Sequence, residues 1–176
     1  MIAFLGTSHA AQHLRSAALA KGLALTDDTA AADLIFVSED TPTDEYGNRA
    51  LAPIRKLIDE AMRYDAPIVL TSQVPPGFTR SLGLPRIYHQ AETLRIKDAI
   101  KRALHPDYIV VGCSAYGSYD LLPEAYRTYL ESFACPVHIV TYEDAEFSKI
   151  AVNMTLAAQV ENTNRLSEAA KRCGVS

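Results

Sequence analysis

Short unbroken apolar runs alternate along this chain with longer stretches of helical spacing. Ile2–Leu5 and Leu34–Val37 contain no polar residue, the pattern of strands buried on both faces. Pro67 opens a third run, Ile68–Thr71, and Pro75-Pro76-Gly77 ends it. Further strands are predicted at Arg86–Tyr88, Tyr108–Gly112 and Pro136–Val140. Between the runs, residues 9–21 predict a helix that Gly22 closes in a left-handed cap. Leu51, Ile54, Leu57, Ile58, Ala61 and Met62 put a second helix over residues 51–64, and a third is predicted over 122–133. A polar loop, Ser38–Asn48, follows the second strand. Strands separated by helices need crossover connections, which predicts an α/β protein with a mostly parallel, Rossmann-like sheet and flanking helices. Asp33 follows Asp27 by only six positions. No helix fits there, so the second crossover is expected to be shortened.

The last part of the chain has a different character. From Asp144 to Cys173 there is neither proline nor glycine, and Gly174 makes a natural stop. At about 1.5 Å per residue, roughly 30 helical residues span some 45 Å, longer than a small domain is wide. This predicts two parts: a sheet domain over 1–142 and a projecting connecting helix over 143–176. A stripe of Phe147, Ile150, Ala151, Met154 and Ala158 is expected to pack the first half of that helix. Its free half needs a partner subunit or a following domain.

Composition narrows the function classes. With 176 residues the chain is one domain in size, and 48% apolar with 22% charged residues is globular composition. A net charge of −4 argues against a surface that neutralises phosphates, so nucleic acid is not an expected partner. No apolar run approaches the roughly 18 residues of a membrane helix, and the N-terminus lacks the features of a signal peptide. Cys113, Cys135 and Cys173 form no C-x-x-C pair, which fits a reducing, cytoplasmic setting rather than a disulfide framework.

Three features carry candidate chemistry. Gly6-Thr7-Ser8-His9-Ala10-Ala11, between the first strand and helix, occupies the place of a dinucleotide fingerprint. It keeps only the first glycine. Alanine satisfies the packing demand of the last position, while Ser8 brings a side chain to where a phosphate approaches. The acid that holds a ribose in such folds falls near Asp27 and Asp28, which the short connection casts instead as turn caps. His9 and His13, four apart, have metal-ligand spacing but no third ligand nearby, so no metal is expected. Lys149 and Asn153 share one face of the long helix, an ammonium and an amide able to stabilise a developing oxyanion.

Three segments occur in a telling order: Thr41-Pro42-Thr43-Asp44-Glu45-Tyr46-Gly47, then Thr71-Ser72-Gln73-Val74-Pro75-Pro76-Gly77-Phe78-Thr79, then Ala145-Glu146-Phe147-Ser148-Lys149-Ile150-Ala151-Val152-Asn153. Together they resemble the N-terminal part of the UDP-glucose/GDP-mannose dehydrogenase family, and Tyr88-His89-Gln90-Ala91-Glu92-Thr93-Leu94-Arg95 is similar to that family's substrate-lining segment. The resemblance implies an NAD-binding domain, a nucleotide sugar such as UDP-glucose in the adjoining cleft, and a homodimer built on the long helix. It implies that Lys149 and Asn153 stabilise oxygen at the reacting carbon and that Glu92 is associated with water activation. Thr93 and Leu94 would lie along the substrate. Gly6, Thr7, Ser8, Thr41, Ser72 and Gln73 would border the cofactor.

The departures shape the expectation further. The resemblance places the family's nucleophilic cysteine beyond Ser176, Gln73 stands for a threonine, and Ile96-Lys97 stands for Glu-Gly. The expected function is therefore that of a truncated or divergent nucleotide-sugar dehydrogenase domain with a weakened NAD site, inactive alone. Two alternatives stay open: a non-catalytic assembly module that has lost NAD binding, and a one-step β-hydroxyacid-type dehydrogenase that needs a lysine but no thiol.

Overall fold

The computed structural model describes residues 1–92, 94 and 96–175, with Ile96 in its backbone alone. Strands β1 (Ile2–Leu5), β2 (Leu34–Val37), β3 (Ile68–Leu70), β4 (Ile87–Ala91), β5 (Ile109–Cys113) and β6 (Val137–Thr141) form one sheet whose spatial order is the chain order. Every neighbouring pair is parallel except β4 and β5. Helices α1 (His9–Ala20), α2 (Ala52–Ala61), α3 (Phe78–Ser81), α4 (Ala99–Leu104) and α5 (Glu124–Glu131) flank it, and α6 (Tyr142–Arg172) follows.

The interior strand β2 shows why the sheet is covered on both sides. Leu34 and Phe36 enter one apolar cluster with Ile2, Tyr126 and Tyr129, whereas Ile35 and Val37 enter the other with Ile54, Ile58 and Leu70. Side chains alternate across a strand, so an unbroken apolar run serves two cores at once. Phe36 also stacks on Phe4 at 4.9 Å and meets Tyr129 at 4.6 Å between ring centroids.

The second crossover is indeed shortened. After α1 the chain touches β1 through a single bridge, Leu25 to Ile2, and a 3-10 turn over Thr29–Ala31 then leads to β2 on the other side of β1. The chain thus passes on both sides of β1, which is the edge strand of the sheet. In open α/β sheets ligands bind in the crevice at the carboxyl ends of the strands.

Helix α6 begins against the sheet. Thr141 caps it by accepting the Asp144 N–H, and Tyr142, Ala145 and Glu146 are buried. A side chain on Gly112 would come within 2.8 Å of the Ala145 Cβ, so β5 and α6 approach this closely only because residue 112 has none. The predicted packing stripe holds only in part, with Ile150 and Ala151 half-buried. Phe147 is 54% and Met154 63% exposed, and every residue from 152 to 169 faces outward. The helix leaves the sheet after Ala151, so its apolar residues lose the surface they were expected to cover. Among the described residues no helix is long and apolar enough to cross a membrane.

Candidate functional site

At the carboxyl ends of β1–β4 lies a cleft of about 580 Å³. Its first wall is the turn after β1. Gly6 has φ +104°, and a Cβ there would lie 1.9 Å from the Ser38 carbonyl oxygen. The ends of β1 and β2 therefore meet only with glycine at this position. Ser8 caps α1 by accepting the Ala11 N–H at 3.1 Å, and its hydroxyl also lies 2.8 Å from that of Ser38. The residue is 3% exposed. Its hydroxyl is held by the helix cap and by Ser38, so it forms a fixed part of the cleft wall.

The second wall joins two loops. Thr41 donates its hydroxyl to the Gln73 carbonyl at 2.5 Å, and Arg49 donates to the Thr41 carbonyl at 2.8 Å. Ser72 donates its hydroxyl to the Glu39 carbonyl at 2.7 Å and accepts the Glu39 N–H at 2.8 Å. The hydroxyl protons of Thr41 and Ser72 are thus engaged by backbone, so these residues shape the cleft and offer it acceptors.

The third wall comes from α6. Glu146, with no exposed surface, accepts the N–H of Gly77 at 2.5 Å and of Thr79 at 2.8 Å. It binds the Val-Pro-Pro-Gly turn to the helix and caps α3 from outside. Burial pushes its carboxyl above the ordinary range, outweighing the two N–H bonds. Lys149 and Asn153 follow at successive turns and border the cleft. The Lys149 ammonium is 3.6 Å from Glu92, their side chains 17% and 13% exposed, so the pair is largely shielded from water. Burial raises the Glu92 carboxyl, against the pull of Lys149, and the Leu94 N–H donates to its other oxygen. Asn153 donates to the Gln73 side-chain carbonyl at 3.2 Å.

Thus Ser8, Thr41, Ser72, Gln73, Glu92, Lys149 and Asn153 all line one cleft, with Gly6 and Thr7 forming the turn beside it. Leu94 lines an adjoining cavity of about 350 Å³ that shares Lys149 and Asn153. Thr93 lies outside the described residues. None of the three cysteines borders the cleft, and burial pushes the Cys113 thiol up to about 11, away from nucleophilic character. Asp27 pairs with Arg15 at 2.7 Å, while Asp28 accepts the Ala30 N–H at 3.0 Å as a turn cap. His9 and His13 bond to each other at 2.9 Å, and the described residues hold no group of three metal-ligating side chains. Sequence reasoning missed Glu39, Asp40 and Arg49, which also line the cleft. The signal available was a pair of acids set directly between a buried strand and the Thr-Pro turn.

Compared with models of known families, the chain matches none. It is 28% identical over 157 residues to a UDP-glucose 6-dehydrogenase of Rickettsia prowazekii, covering 82% of this chain and 36% of that protein. It is 26% identical to a UDP-glucose 6-dehydrogenase of Pseudomonas aeruginosa over 177 residues, covering 91% and 38% respectively. The chain therefore spans little more than a third of these relatives' length, their N-terminal region. Among solved structures, a ternary complex of GDP-mannose dehydrogenase from Pseudomonas aeruginosa superposes with a TM-score of 0.79 at 22% identity, over 99% of this chain and 54% of that one. That likeness shows the fold. The resemblance carried by the loop and helix motifs holds: the chain is similar to the N-terminal part of nucleotide-sugar dehydrogenases.

Proposed function

We propose that this chain is the cofactor-binding part of a nucleotide-sugar dehydrogenase, taking NAD at the turn after β1 and presenting Lys149, Asn153 and Glu92 to an alcohol carbon. The observation that carries this reading is the convergence of those three side chains with Thr41, Ser72 and Gln73 on one cleft at the carboxyl ends of β1–β4. The cleft fits the cofactor in three respects. Gly6 permits the tight turn, the buried Ser8 hydroxyl is already held by the α1 cap and Ser38, and the twelve-residue helix α1 begins at the turn. NAD would supply the hydride acceptor.

The chain's own residues supply the rest. Lys149 exchanges its long contact with Glu92 for an oxygen that gains negative charge, and Asn153 keeps one N–H on Gln73 while offering the other. The shielded Glu92 carboxyl, raised by burial against the pull of Lys149, is placed to accept or pass a proton at the cleft. Oxidation through to a carboxylate needs a thiol, and none of Cys113, Cys135 or Cys173 lines the cleft. The second oxidation step thus depends on a group outside these three.

Titration calorimetry with NAD tests the reading. Micromolar affinity is expected, and no heat up to millimolar NAD overturns it. Lys149→Met is expected to leave NAD affinity within about threefold, and, where a further domain supplies the nucleotide-sugar site, to cut NADH formation from UDP-glucose or GDP-mannose by roughly 10²–10³-fold.

The outward half of α6 bears on assembly. Val152, Met154, Leu156, Val160 and Leu166 are all exposed there, more apolar surface than an isolated helix keeps in water. A homodimer packed along this helix covers it, and sedimentation equilibrium is expected to give twice the chain mass. A monomer at high micromolar concentration would refute the pairing.

A further inference from the structure

A dinucleotide fold sets two mononucleotide-binding halves of three strands each side by side, and the half that opens the chain takes the adenosine end. In this chain the two halves are unequal. Strands β2, β3 and β4 follow one another on one side of β1. On its other side, among the described residues, β1 has only the bridge from Leu25 to Ile2. Leu34 already opens β2, so the connection holds no second strand and no α-helix. Its acids are engaged or exposed: Asp27 pairs with Arg15 at 2.7 Å with its side chain 88% exposed, and Asp28 accepts the Ala30 N–H at 3.0 Å. None of residues 22–33 lines the cleft. The turn after β1 is partly occupied as well. Backbone N–H groups of such a turn are its anion-binding donors, yet the Thr7 N–H and hydroxyl both donate to Glu39 Oε2, at 3.1 and 3.3 Å. The Ala11 N–H donates to Ser8. The cleft's cations, Arg49 and Lys149, stand instead on the walls that carry Thr41, Gln73 and Asn153.

We propose that the cleft holds its cofactor by the nicotinamide mononucleotide half alone, leaving the adenosine half without a binding surface. The proposal rests on the NAD reading above and says which part of the molecule carries the affinity. An adenine ring and ribose that reach past β1 find no second strand to lie against. They bury little surface there and gain little free energy. A phosphate ester on that ribose meets no pocket that would clash with it, so its presence is tolerated. The ligand class that this cleft recognises is thus a pyridine mononucleotide, free or as part of a larger molecule.

Calorimetric titration of the whole chain with NAD, NADP, oxidised nicotinamide mononucleotide and AMP decides the matter. The mononucleotide is expected to bind no more than about tenfold more weakly than NAD. A wider gap would mean that the adenosine half carries affinity, and would overturn the proposal while leaving NAD binding intact. AMP is expected to bind at least about tenfold more weakly than the mononucleotide. A smaller difference would put the grip on the adenosine end and overturn it too. NADP should match NAD within about threefold, and a larger preference in either direction would show that the adenosine ribose is read after all. Asp27→Asn removes one partner of an exposed ion pair, so its melting temperature should stay within a few degrees of wild type. Its NAD affinity is expected to stay within about threefold of wild type, and a larger loss would make Asp27 a ligand of that ribose. If neither NAD nor the mononucleotide binds up to millimolar concentration, the NAD reading itself fails, and this inference with it.

Discussion

Gly6→Ala is expected to destabilise this chain by on the order of 4 kcal/mol, lowering the melting temperature by roughly 8–16 °C. Two effects add. Residue 6 has φ +104°, a conformation that strains any L side chain, and the new methyl would sit 1.9 Å from the Ser38 carbonyl oxygen. Relief requires β1 and β2 to part at the mouth of the cleft, so the loss falls on the site as well as on the core. Gly22→Ala provides the control. Its φ is +78°, yet a methyl added there would have nothing within 4 Å, so only the conformational cost of about 1 kcal/mol applies. Urea unfolding of both variants separates the two effects. Equal losses would mean that the close approach of Ser38 is not a real constraint.

Glu146→Ala is expected to lose on the order of 3 kcal/mol near pH 5. The substitution orphans the buried N–H groups of Gly77 and Thr79 and leaves a void where the side chain lay. The loss should depend on pH with a definite sign. Burial raises the folded carboxyl above its unfolded value. Its contribution is therefore fully present below the unfolded value near 4.5 and is lost as pH rises through the folded one. The gap between wild type and Glu146→Ala should be widest in mild acid and narrow toward pH 8. Urea midpoints across that range test it, and a gap that widens with pH would show that the two N–H bonds outweigh burial. Glu146→Gln, which keeps the volume and one acceptor, should lose about half as much at pH 5.

The sheet was legible where burial on both faces leaves an uninterrupted apolar run. Ile2–Leu5 and Leu34–Val37 are strands over those very residues. Polar residues that fold inward were the difficulty. The expected strand Arg86–Tyr88 actually runs to Ala91, because His89 and Gln90 are buried, Gln90 accepting the Tyr126 hydroxyl at 3.0 Å. The short helix α4 carries too few turns to announce itself by spacing. On α6, periodicity gives the helix but not the surface it meets, so Phe147 and Met154, expected to pack inward, face out.

For the site, spacing alone links only Lys149 with Asn153. Their meeting with Glu92, Thr41 and Gln73 depends on tertiary contacts across more than 30 positions of sequence, and only the family resemblance makes it visible in the sequence. Glu39 has only the signal of the acid pair it forms with Asp40. Its contact with Thr7 arises because β1 and β2 end side by side, which no local pattern reveals.

Glu146, Lys149 and Asn153 ride on the same rod as the exposed residues beyond Ala151. In a continuous α-helix successive residues are set about 100° apart around one axis, so rotation of the rod turns every side chain on it together. Whatever grips the outer end of α6 can therefore act as a lever on the azimuth of the ammonium and the amide. The buried Glu146 and the contact of Ala145 with Gly112 are the fulcrum that resists such torque.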